Sequence, residues 1–203
     1  GGFVGLDGFF LEGVNGGFPI AFFIFQLVFC CTASTIISGA VAERMSFKGY
    51  ILISAVTAAL LYPVSGHWIW AAGGWLYELG FVDFAGSTAV HSVGGWLALA
   101  AVLIIGPRWG VFEAGGVPKS SHSLVTATFG VIVLFFGWFG FNGGSLLAFD
   151  DRVPQIILNT AIAGTAGGLL GLTLSWKRDG YPDIRDFVNG ILGGLVSITA
   201  CCH

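Results

Sequence analysis

Charge is what this chain most lacks. Asp, Glu, Lys and Arg make up 9% of its 203 residues, whereas a water-soluble domain carries about 25%. Its eight basic residues form no run and its net charge is −3, which argues against nucleic acid or any other polyion as a partner. The chain opens GGFVGLDGFF, with no initiator Met and no basic stretch ahead of an apolar one. Neither a signal peptide nor a natural start is expected, and the sequence reads as a piece of a longer chain. Cysteine is scarce, and Cys30 with Cys31 and Cys201 with Cys202 form adjacent pairs. That spacing suits neither a metal site nor a redox motif, so the thiols are expected to pack as small hydrophobes. No cofactor and no metal are implied.

What is abundant is apolar. Hydrophobic residues reach 55%, Gly numbers 33 and mean hydropathy is +0.87, the profile of a membrane protein. About 20 apolar residues cross the hydrocarbon, and backbone groups there need helical hydrogen bonding. Six spans are expected, over 20–42, 49–66, 87–105, 123–141, 153–176 and from 187 onward. The fold class is therefore an all-α polytopic membrane bundle occupying 1–203, with no separate soluble domain.

Arg44, Lys48, Arg108, Lys119, Lys177, Arg178 and Arg185 all fall in the loops after the first, third and fifth spans, leaving only Arg152 on the other side. By the positive-inside rule those loops are cytoplasmic, and the N-terminal stretch, the Trp-rich loop and NGGSLLAFDDRVP are external. Gly94 with Ala98, Ala163 with Gly167 and Gly171, and Gly190 with Gly194 recur at four-residue spacing. Such stripes let membrane helices approach closely where lipid supplies no hydrophobic drive between them.

Polar residues in the apolar stretch 62–95 pose the functional question. His91 falls inside the third span, with Gly94, Gly95, Ala98 and Ala101 projected onto its face; an imidazole over small residues suits a neighbouring helix or a passage equally. Asp83, in DFAGST, is placed to cap the helix that follows and to add negative potential outside it. Trp68, Trp70 and Trp75 belong to an interfacial belt, yet aromatic faces beside an acid also attract small cations. FFGWFGFNGGS, 135–145, ends the fourth span with four Phe and a Gly-Gly turn carrying Ser145.

Taken together, FQLVFCCTASTIISGAVAERM, GHWIWAAGGWL, DFAGSTAVH, GPR, GWFGFNGGS and GLVSITACC resemble the ammonium transporter family, which includes the methylammonium permeases and the Rhesus proteins. The match runs from about Phe25 to Cys202. The resemblance implies a homotrimer of eleven-span subunits in the cell membrane, each with a pore between two inverted halves. This chain would supply spans three to eight and begin outside, in agreement with the loop charges.

The resemblance also assigns roles. It implies ligand binding by Trp70, through a cation–π face, by Ser145, whose hydroxyl accepts from ammonium, and by Thr199, with the buried acid Asp83 in support. Phe25 and Phe141 match a stacked pore gate, and His91 the first of two pore histidines; His203 does not match the second. The expected function is ammonium transport. The cation is recruited outside, loses its proton and crosses as ammonia, because a bare charge in hydrocarbon costs several kcal/mol. Methylammonium is the expected analogue.

An ammonium sensor, using the same site and a signalling domain beyond the C-terminus, is the second reading. An enzyme is not expected, since no nucleophile, base and oxyanion donors converge. Membrane lipid surrounds either form, and a PII-type regulatory protein or a fused signalling domain is the regulatory partner implied. The loop GVFEAGGVPKSSHSLVT departs from the family pattern in lacking the proline usual after its histidine, here His122.

Overall fold

The computed structural model describes residues 1–108, 110 and 123–203. Among them no strand occurs. Helices α1 (Gly17–Val41), α2 (Phe47–Val56), α3 (Tyr62–Trp70), α4 (Trp75–Glu78), α5 (Val93–Ile105), α6 (Leu124–Gly144), α7 (Val153–Asp179) and α8 (Ile184–Ile198) follow in order. Two wide π-turns, Thr57–Leu61 and Ser87–Ser92, join α2 to α3 and open α5. Five stretches are long and apolar enough to cross a membrane: Gly17–Val41, Phe47–Glu78, Ser87–Ile105, Leu124–Gly144 and Val153–Asp179. The sixth expected span is α8, whose 15 residues rise only about 22 Å at 1.5 Å each.

Two compact units divide the chain. The first comprises Gly1–Val82 with the described residues of Thr88–Lys119; the second comprises Asp83–Ser87 with those of Ser120–His203. Within the first, α1 packs on α5 and on the π-turn Thr57–Leu61. The stripe Gly94, Ala98, Ala101 is buried, and a Cβ at Gly94 would stand 2.9 Å from Ala33 O. The small residues therefore admit α1, and of the two readings open for that face the neighbouring helix holds at Gly94. Ile37, Val41 and Ala101 form the core there, with Met45, Tyr50, Ile53, Leu97 and Ile105 against it. The Arg44 guanidinium donates to Ala40 O and Gly106 O, which ties the C-terminal ends of α1 and α5 to one side, as the loop charges require.

Pro63 sits inside the second span, where a proline removes a helix donor and its ring crowds the preceding turn. The chain answers by widening: the Tyr62 N–H reaches back to Thr57 O, and Ser65 Oγ donates to Leu61 O and Tyr62 O at 3.0 and 2.9 Å. Helical structure thus continues from Phe47 to Trp70.

In the second unit α7 and α8 form a hairpin around the expected glycines. A Cβ on Gly167 would overlap Gly190 O, and one on Gly194 would overlap Ala163 O. Gly180, at φ 81°, ends α7. Ser175 Oγ accepts from Asp183 N at 3.0 Å, and the Asp183 carboxylate caps α8 through Arg185 N at 2.8 Å. Helix α6 runs on through Gly144, so the Gly-Gly pair expected to form a turn is the last turn of the helix.

Candidate functional site

Candidate residues of the first unit sit on α1, α3 and the turn Ser87–Ser92. Phe25 and Phe29 are one helical turn apart, and their rings meet edge to face at 4.5 Å. Phe29 in turn lies 6.1 Å from Trp70, tilted by 49°. Phe29, 2% exposed, thus stands between Phe25 and Trp70. Sequence reasoning missed it, although its spacing of four from Phe25 was the available signal. A cleft of about 320 Å³ beside Trp70 is lined also by Phe22, Gln26, Tyr62 and His67, and Tyr62 OH bonds Gln26 Oε1 at 3.4 Å.

The other two tryptophans have different partners. Trp68 Nε1 donates to Phe3 O at 2.8 Å and its ring meets Trp75 edge on at 5.8 Å, while Trp75 N donates to Gly2 O. Both hold the N-terminal stretch. His91 is half-buried in the π-turn, a wide-turn setting that recurs at functional sites.

In the second unit Asp83 is 4% exposed, and its Oδ1 accepts from Gly86 N at 3.1 Å and Ser87 N at 2.8 Å. That is the capping task expected of it. The segment it begins is pinned to the end of α8, since Phe84 N donates to Ala200 O and Ala85 N to Thr199 O, each at 2.9 Å. Thr199 is fully buried. Its hydroxyl donates to Leu195 O at 2.6 Å and accepts from Trp138 Nε1 at 2.8 Å. Trp138 also lies 5.6 Å from the Phe141 ring. Further along α6, Asn142 Nδ2 donates to Thr160 Oγ1 at 2.9 Å, with both residues sealed from solvent. Trp138, Asn142 and Thr160 were not singled out in the sequence, because nothing local marks which helix they will meet.

Ser145 follows α6 half-buried. Its hydroxyl proton is committed to Phe141 O at 2.8 Å, so the Oγ lone pairs are what it presents to its surroundings. On the loop that follows, Arg152 binds Asp150 at 2.7 Å, and that side-chain hydrogen bond holds the Asp150 carboxyl down at about 2. The expectations about His122 and its loop lie outside the described residues.

Membrane-length helices stacked through small residues make this a multi-pass membrane protein. The sequence model of the Ammonium Transporter Family matches residues 1–203, and the chain belongs to that family. It is 48% identical over 214 residues to the Synechocystis relative sll1017, covering 100% of this chain and 48% of that one. With ammonium transporter Amt2 of Archaeoglobus fulgidus it shares 44% over 215 residues, covering 99% and 46%. A solved structure described as a sensor Amt protein superposes with a TM-score of 0.93 at 41% identity, covering 99% of this chain and 52% of that one. The chain spans about half the length of the relatives it matches.

Proposed function

We propose that the full-length protein moves ammonium across the membrane, recruiting the cation outside and passing ammonia inward. The observation that carries this reading is the Ser145 hydroxyl, whose proton is held by Phe141 O. A hydroxyl so fixed accepts hydrogen bonds, and ammonium donates them while sodium and potassium cannot. Trp70 supplies the aromatic face, worth about 1 kcal/mol and up to about 2 when desolvated.

Asp83 and Thr199 act behind them. Asp83 fixes the turn that leads to His91, and Thr199 holds Trp138 on the α6 face next to Phe141. Phe25, with Phe29 against it, and Phe141 are the gate residues that the family resemblance assigns. A passage lined by such rings rejects a charge and admits neutral ammonia, while His91 takes part in handling the proton left behind. The N-terminal stretch lies outside, the assembly is a homotrimer, and methylammonium competes for the same site. A PII-type protein or a fused domain would regulate it.

A second reading is favoured by one observation, the 0.93 superposition on a structure described as a sensor. A receptor would keep the recruitment residues and block the route past Phe25, Phe141 and His91. Expression of the full-length protein in cells lacking their own ammonium uptake separates the two. Growth on low ammonium, lost in Ser145→Ala, supports transport; bound ammonium without growth supports the sensor.

A further inference from the structure

Helix hydroxyls in this protein normally turn back on their own ladder. Thr32, Ser65, Thr128, Ser145, Thr160, Thr165, Thr173, Ser197 and Thr199 each donate to the carbonyl four residues earlier. Ser54 and Thr57 do not. Their Oγ atoms are sealed from solvent and have no hydrogen-bond partner among the described residues, and Thr57 as a residue is 0% exposed. Both lie where α2 enters the π-turn Thr57–Leu61, and the Thr57 N–H is shared between Ile53 O and Ser54 O.

Spacing of three on a helix sets two side chains one turn apart, with about 5–6 Å between Cβ atoms. One small molecule can therefore bridge both hydroxyls. The partner packed on the turn is α1. Tyr62 bonds Gln26 and Tyr50 bonds Ser34, so interpolation between these anchors sets Thr57 level with about residues 29 and 30. Phe29 and Ala33, buried side chains of α1 there, offer no polar atom, and the half-buried Cys30 thiol bonds neither hydroxyl. Since the chain itself seals the two oxygens, a further protein segment or a lipid cannot reach them.

We propose that Ser54 and Thr57 build an internal water site at the mouth of the π-turn. A water donates to one hydroxyl, accepts from the other and fills the widening that Pro63 imposes. The site belongs to the second span and does not depend on what the protein transports or senses.

The test is a structure of the full-length protein at a resolution that shows internal waters, together with thermal melting of Thr57→Val and Thr57→Ser. The expected result is a density peak within hydrogen-bond distance of both hydroxyls, lost in Thr57→Val and kept in Thr57→Ser, with Thr57→Val melting lower. In a dry site valine would remove an orphan hydroxyl at no loss. A wild-type structure with no peak touching both oxygens, or Thr57→Val melting at or above wild type, overturns the proposal. Should Thr57→Val not fold, the wild-type density decides alone.

Discussion

The indole N–H of Trp138 donates to the hydroxyl of Thr199 at 2.8 Å, joining α6 to the end of α8 across 61 positions of sequence. Both residues are buried, and the same threonine supplies the carbonyl that accepts from Ala85 N. One residue thus fixes the α6 aromatic face and the segment begun by Asp83. Thr199→Val keeps the shape and removes the hydroxyl that the indole N–H donates to, which should cost about 1–3 kcal/mol. Thr199→Ser should restore most of that. Thermal unfolding of the full-length protein reads the difference, and equal melting of the valine and serine forms would contradict it.

The α7 and α8 glycines predict a steric phenotype. Gly167→Ala puts a methyl group onto Gly190 O, and backbone cannot yield as a side-chain tip can, so a loss of about 1–3 kcal/mol is expected. Gly193, with nothing among the described residues within 4 Å of its Cβ position, should accept alanine without penalty. Comparing the two melting temperatures checks the stripe.

Much of this was legible beforehand. The boundaries 87–105 and the start at Val153 agree with the helices observed, because apolar runs bounded by charge leave few alternatives. The Asp83 cap and the α7 and α8 stripe were readable for the same reason: each is a local pattern with one physical use. What failed were inferences needing tertiary partners. The face of Gly94 and Ala98 was an open choice between passage and helix, and α1 occupies it at Gly94. The π-turn Thr57–Leu61 was invisible to a 3.6-residue projection. One extra residue turns everything after it by about 100°, which changes the neighbours open to Trp70. Phe29 was overlooked because, among 19 Phe, its spacing of four from Phe25 was the single mark it carried, and its contact with Trp70 is tertiary.

Asp183 makes the acid side predictable. Hydrogen bonding from the Arg185 side chain, then from its backbone N–H, lowers the Asp183 carboxyl below its ordinary 3.8. A carboxyl depressed in the folded state contributes stability that is complete above the unfolded value and lost as pH falls through the folded one. Melting temperature should therefore drop below about pH 4, and Asp183→Asn should flatten that drop. An unchanged acid slope in the variant would remove the pair from the account.

Trp70→Leu should weaken ammonium recruitment by about 5- to 30-fold, the equivalent of about 1–2 kcal/mol of cation–π attraction, with folding intact. Trp68→Leu should leave recruitment near wild type and loosen the N-terminal stretch that its indole holds. Competition of ammonium against labelled methylammonium measures both. Equal losses in the two variants would return Trp70 to the interfacial belt.

In the proposed function ammonium passes through the full-length protein and His91 serves its passage. Full-length protein in liposomes, with an inward ammonium gradient and no potassium gradient, measures it by the flux into the lumen. The expected result is a saturable flux in wild type that falls at least tenfold in His91→Ala, in protein verified as folded and trimeric. Saturable ammonium binding with no flux in the wild type would contradict it.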